Sequence, residues 1–550
     1  MAGGEVPSHR AGDRSAQTSS PAEVGAIADF TEGTIERRSQ PGPVVPATVP
    51  RSSGAELITA SVLTLASSVT GVVVALFRSK LVAVLLGPAG VGALANLGVY
   101  NTFITTAGSA FSGQGATRAI AAARSAGSPD RVDWLIRYSL IVPPIVGVIM
   151  GLVTLALSPV ISAIVMGDER YAPLVAISAA AIPLGLLTAG YSQILQGFVL
   201  IGSLARANIA TTLASLLLTV GLVVAFGLTG AVVATSLIAV VQFGIYYRRE
   251  PWVIRARAWR RHLPFDWVTL RPVIQLGLAG VILGIASTLV SLLIRTDIAR
   301  VLGLEQSGVY QPVSAISDTY LELLLSSTSF YLFPRLTELL TSGRPRDAAF
   351  ELGHGMRLML AVSVPFLLLS VAFGEPIVLL LYSSRFRGAV DPLAIQMAGN
   401  VFKAITWSVG AALLPLGYYR IWLGIGLANL AIKYVGVLVL LPHMGLDGVA
   451  WATSISWVWS AVAEASAVVV LGRLTIPARD WRVAFAAVAL VEMTLAVRTL
   501  SQPAAMLFAA GAAIAWLALT RAEVSDLART LSQIAGRQVA ALRAMRGHHG

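Results

Sequence analysis

Asp318 and Glu322 lie four residues apart in a largely apolar stretch, a spacing that puts both carboxyls on one face of a helix. Glu464 and Glu492 are the other acids set inside long apolar runs. The cations are as selective. All but three of the 40 basic side chains are arginine, and the exceptions are Lys80, Lys403 and Lys433. Lys403 and Lys433 fall within apolar runs, while Arg78, Lys80 and Arg295 stand at the ends of two others. A charge at mid-bilayer costs about 2.5–3.5 kcal/mol on the insertion scale, so each one needs a partner or a ligand. Guanidinium forks together with ammonium point charges suit a diphosphate. For Arg78, Lys80 and Arg295 the alternative is that their stems snorkel to lipid headgroups. Asp318 and Glu322, and with them Glu464, either pair with the lysines or titrate in ion coupling; pairing is the simpler reading.

The elements that must position these groups are membrane helices. The chain has 550 residues, of which 56% are hydrophobic and only 12% charged. About a quarter of an average soluble domain is charged. Apolar runs of about 20 residues, enough to cross the hydrocarbon, recur fourteen times between residues 57 and 520, two of them at 306–330 and 392–414. The fold class expected is an all-α polytopic membrane protein of about 14 transmembrane helices. The net charge of +12 then reads as orientation rather than nucleic-acid binding. Loops expected inside hold a run of arginines from Arg248 to Arg271 and another group, Arg335, Arg344, Arg346 and Arg357. That places both termini in the cytoplasm. With no cysteine and six scattered histidines, no metal site and no cofactor is expected.

GLTGAVVATS from Gly227 and GLDGVAWATS from Gly445 agree at six of ten positions, 218 residues apart. Leu86-Gly87 with Gly92 matches Leu302-Gly303 with Gly308, 216 residues apart. Both pairs fall at the same place in a six-span unit, so the halves are parallel repeats around a central cavity. The expected division is a disordered cytoplasmic tail (1–54), an N-lobe (55–247), a basic interfacial linker (248–272), a C-lobe (273–472), two extra spans (473–520) and an amphipathic cytoplasmic tail (521–550). The linker and the last segment are expected to lie on anionic lipid. The repeat sets Arg78 and Lys80 opposite Arg295 at the cavity mouth.

FRSKLVAVLLGPAGVGALANL from Phe77, YLFPRLTEL from Tyr331 and QMAGNVFKAITWSVGAALLPLGYYR from Gln396 resemble the bacterial lipid-linked oligosaccharide flippases of the Wzx type. The resemblance covers most of 57–471 and is nearest the O-antigen and enterobacterial-common-antigen-like members. It implies the multidrug/oligosaccharidyl-lipid/polysaccharide exporter fold in the bacterial inner membrane, and an undecaprenyl-diphosphate-linked oligosaccharide as substrate. It also implies polysaccharide polymerase machinery as a partner. Lys80 and the Gly87-Pro88 turn match the first motif, and Lys403 matches the lysine of the third. The long polar tail departs from the family's short start and leaves that segment's role open.

Three rivals follow. A drug or cation antiporter of the same fold calls for buried carboxylates, and the first six spans have none. A membrane glycosyltransferase or polymerase calls for acids in long outer loops, which are absent, so no enzyme is expected. A lipid II flippase shares the fold and the diphosphate chemistry, and only the motifs lean away from it.

Overall fold

The computed structural model describes residues 54–110, 113–255, 267–523 and 525, and among them every regular element is helical. The expected tail before Gly54, the 256–266 part of the linker and the segment after Ser525 lie outside the described residues. The first half comprises α1 (Gly54–Ser109), α2 (Gly113–Ser125), α3 (Pro129–Ala156), α4 (Ser158–Met166), α5 (Ala172–Ala179), α6 (Ala181–Gly197), α7 (Ile201–Arg249) and α8 (Trp252–Arg255). The second comprises α9 (Trp267–Leu302), α10 (Leu304–Ser314), α11 (Leu321–Thr341), α12 (Pro345–Ala372), α13 (Gly374–Leu381), α14 (Val390–Val409) and α15 (Tyr419–Val470). Two further helices follow, α16 (Ala478–Leu500) and α17 (Gln502–Leu519).

Nine helices among the described residues are long and apolar enough to cross a membrane. Neither α11 nor α14 is among them, although the sequence places spans there. Their hydropathy is lowered by polar residues such as Glu322, Gln396, Asn400 and Lys403, and the last three of these are buried in protein rather than in lipid.

The internal repeat is written into the backbone. Gly227 and Gly445 break α7 and α15 at nearly the same dihedrals, φ 57°, ψ −134° and φ 59°, ψ −137°. Gly87 breaks α1 with φ 66°, and its repeat mate Gly303, φ 91°, separates α9 from α10. These positive φ values suit glycine and strain most other residues. Each is a break between two helical arms, so the motifs that matched in sequence mark equivalent corners.

The halves meet where α1 crosses α9 and α10. A Cβ on Gly92 would lie 2.2 Å from the Leu304 carbonyl oxygen and 2.9 Å from the Gly308 nitrogen, so only glycine permits the approach. Small residues let backbones come this close in membrane helices. Beside the crossing, the Ser307 hydroxyl donates to Asn96 Oδ1 at 2.6 Å, and Asn96 Nδ2 donates to the Val165 carbonyl at 2.8 Å. Both side chains are fully buried.

In the second half α12 is the central post. Met356, Leu360, Val364, Leu367 and Val371 recur every three or four residues and are fully buried. The two extra helices are fastened to it by polar contacts. Trp516 Nε1 donates to the Leu360 carbonyl at 3.2 Å, and Gln502 Nε2 to the Ala372 carbonyl at 2.6 Å. Arg357, placed by the sequence among loop cations, is instead buried between Asp480, at the start of α16, and Glu523, 2.9 Å away beyond α17. Removing one partner of a buried ion pair costs about 3–5 kcal/mol, because the remaining charges lose their compensation. Arg357→Ala is therefore expected to lower the thermal unfolding midpoint markedly in detergent-free nanodiscs, with Arg357→Lys intermediate. An unchanged midpoint would show the clamp to be idle.

Candidate functional site

Gln396, Asn400 and Lys403 fall on one face of α14, at steps of four and three residues. All three are buried, and they converge on a single π-helical turn, Ala315–Tyr320, between α10 and α11. The turn begins three residues past Pro312, which has no N–H to give to the preceding turn. Such wide turns concentrate at functional sites. Ser317 is the hub: its hydroxyl accepts from Gln396 Nε2 at 2.5 Å, and its carbonyl accepts from Asn400 Nδ2 and from Lys403 Nζ, each at 3.4 Å.

Lys403 is 1% exposed and carries its charge to two carboxylates, Glu322 Oε1 at 2.7 Å and Asp318 Oδ1 at 3.6 Å. Those carboxylates are 45% and 39% exposed, so the pair is buried on its cationic side and open on its anionic side. Lys433 lies within electrostatic reach of Asp318, Lys403 and Glu322. Arg295 joins the same region from α9. Its Nη2 donates to Gln311 Oε1 at 2.6 Å and to Ser314 Oγ at 2.7 Å, its guanidinium lies 5.7 Å from the Tyr310 ring centre, and Nη1 has no hydrogen-bond partner among the described residues. From the first half, Arg78 reaches Tyr320 of the π turn electrostatically. Three cations, Arg295, Lys403 and Lys433, thus lie within electrostatic reach of Asp318, and a fourth, Arg78, approaches the same turn at Tyr320.

Two of the residues singled out by sequence stand elsewhere. The Lys80 ammonium donates to the Leu379 carbonyl of α13 at 2.6 Å, a bond between the halves. Glu464 sits on α15 in the wall of a cavity of about 640 Å³ bounded by α9, α11, α14 and α15. That wall includes Glu322 and Glu464 and no arginine or lysine among the described residues, so the cations line the π turn behind the cavity rather than the cavity itself. The Ser317 hub, the Arg295 partners and the Asn96–Ser307 bond escaped the sequence reading. The 396–400–403 stripe was legible in principle from its helical spacing. The others join residues far apart in the chain, and no local pattern announces them.

Comparison with known proteins bears on these features. The polysaccharide biosynthesis protein family matches residues 81–391, more than half of the chain. The lipid III flippase of Escherichia coli K12 is 25% identical over 422 residues, spanning 72% of this chain and 94% of that protein, and the lipid III flippase of Shigella flexneri matches equally. Among solved structures, lipid II flippase MurJ in an inward closed conformation superposes with a TM-score of 0.65 at 14% identity, over 85% of this chain and 99% of that one. A multidrug resistance MATE family transporter of the MOP superfamily, in an inward-facing conformation, superposes with a TM-score of 0.63 at 15% identity, over 77% and 99%. At those identities the two structures speak for the fold, which is the two-lobed MOP-type bundle.

Proposed function

We propose that this chain, which belongs to the polysaccharide biosynthesis protein family, is a flippase for an undecaprenyl-diphosphate-linked oligosaccharide, moving it from the cytoplasmic to the periplasmic leaflet of a bacterial inner membrane. The observation that carries the reading is the match along 94% of the lipid III flippase of Escherichia coli K12. The surplus of cations at the π turn supports an anionic headgroup. Arg78, Arg295, Lys403 and Lys433 hold the diphosphate in this reading, with Lys80 joining when its bond to Leu379 opens. Asp318 and Glu322 hold the Lys403 ammonium in place. The polyprenyl chain stays in lipid between the lobes, and the bundle 55–247 rocks against 273–472 so that the lobes part at the Gly92–Gly308 crossing in one of the two states. The relatives named above are flippases and a transporter, which favours carriage over bond-making chemistry.

A second reading, a cation antiporter on the same fold, draws on the two carboxylates in the cavity wall. One assay separates the two. Proteoliposomes are loaded with a prenyl-diphosphate oligosaccharide and, separately, with an organic cation dye. Protein-dependent exposure of the oligosaccharide to an added glycosidase is expected, several-fold faster than in empty vesicles. Dye movement driven by an ion gradient, with no lipid movement, would overturn the flippase reading in favour of the antiporter.

A further inference from the structure

Three side chains in the wall of the 640 Å³ cavity carry a buried polar atom without a hydrogen-bond partner among the described residues: the Thr406 hydroxyl, the Trp457 indole N–H and Glu464 Oε2. The indole can only donate, a carboxyl offers an acceptor oxygen, and the hydroxyl does both. Around them Trp407, Trp422 and Trp457 offer flat apolar faces. The volume lies in the range of small-ligand sites, which pair an apolar aromatic lining with a few convergent polar groups.

The chemistry of these three atoms narrows what can fill the space. An isoprenoid or acyl chain would occupy it and leave all three unsatisfied. A quaternary ammonium would answer the carboxylate and the indole faces, but it has nothing to accept the Trp457 N–H. A pyranose has both characters in one ring: C–H faces that pack against indoles, and rim hydroxyls that donate to a carboxylate and accept from an N–H.

The wall is also held in place. Lys403 Nζ, fixed by Glu322, lies 5.3 Å from the Trp457 ring centre and braces that indole from behind. A Cβ on Gly410 would fall 2.2 Å from Glu464 Oε2, so glycine at that position lets the carboxyl lie against α14. Glu464 itself is 5% exposed.

We propose that this cavity of the second lobe is a sugar-recognition site, with Trp407, Trp422 and Trp457 as stacking faces and Thr406, Trp457 and Glu464 as hydroxyl partners. It takes one pyranose of the lipid-linked substrate, and in that respect it rests on the flippase reading. The diphosphate and the sugar are then read by separate groups, the cations of the π turn and the neutral-to-acidic wall of the cavity.

The test is a titration of the full chain in nanodiscs free of glycoside detergents. The probes are farnesyl diphosphate and farnesyl diphosphate bearing an N-acetylhexosamine disaccharide. The sugar is expected to tighten binding about tenfold, and Trp457→Phe and Glu464→Gln are each expected to remove most of that increment, read as the ratio of the two affinities within one protein. Trp457→Phe keeps an aromatic ring and Glu464→Gln keeps the shape, so both variants retain packing. An increment that survives in both variants, or that is absent from the unsubstituted protein, overturns the sugar site alone. Loss in the variants of tetraphenylphosphonium binding, with no sugar increment, overturns it in favour of a cation. Tight binding of the free disaccharide with no gain from the prenyl diphosphate overturns the assignment to lipid-linked substrate. If neither prenyl probe binds at all, the flippase reading and the site fall together.

Discussion

With Asn96→Cys and Ser307→Cys combined, oxidation or a short bismaleimide is expected to reduce flipping to the level of empty vesicles, and a reductant is expected to restore it in the oxidised sample. The two side chains touch across the lobes at 2.6 Å, next to the place where Gly92 and Gly308 bring the backbones together. A covalent tie there holds this end of the bundle shut. Alternating access requires that end to open once per cycle, so the tie removes transport rather than slowing it. The chain has no cysteine of its own, which makes the cross-link unambiguous. Ser307→Cys costs one buried hydrogen bond and Asn96→Cys two, and each partner left unsatisfied costs on the order of 1–3 kcal/mol. That cost biases the two states but leaves the cycle running. Full transport by the cross-linked protein would mean that the lobes do not part at this crossing, and a cycle that opens there would have to be abandoned.

The corner glycines show what the sequence could and could not disclose. Gly87, Gly227, Gly303 and Gly445 were visible because the repeat preserved both the residue and its neighbours, and all four take positive φ in the structure. Gly92 and Gly308 were visible as a matched pair, but nothing in the sequence says that the two touch. Their contact depends on how one lobe docks on the other. The same limit explains Arg357. At the head of an apolar run a lone arginine reads as a loop cation, whereas its partners Asp480 and Glu523 lie 123 and 166 residues further on. Local pattern reveals which residues are out of place in a membrane. It does not reveal which of them meet.

Lys403 was conspicuous for that reason, and its contacts define a second large effect. Lys403→Met is expected to slow flipping by more than about tenfold, equivalent to about 1.4 kcal/mol or more in the barrier, and to lower thermal stability as well. The loss of stability has a clear origin: Asp318 and Glu322 would face each other without the ammonium between them. Because both carboxylates are partly exposed, the penalty lies below the 3–5 kcal/mol of a fully buried pair. Structural and functional roles can then be separated by removing the whole charge set. The triple variant Lys403→Met, Asp318→Asn, Glu322→Gln no longer sets two carboxylates against each other, although Lys433 and Arg295 lose acidic neighbours, so it is expected to regain part of the thermal stability. It is not expected to regain transport, since the cation offered to the diphosphate is gone and the Trp457 indole has lost its brace. If the triple variant flips substrate at the full rate, Lys403 serves only to neutralise its two neighbours, and the positive surplus at the π turn must be assigned to Arg78, Arg295 and Lys433 alone.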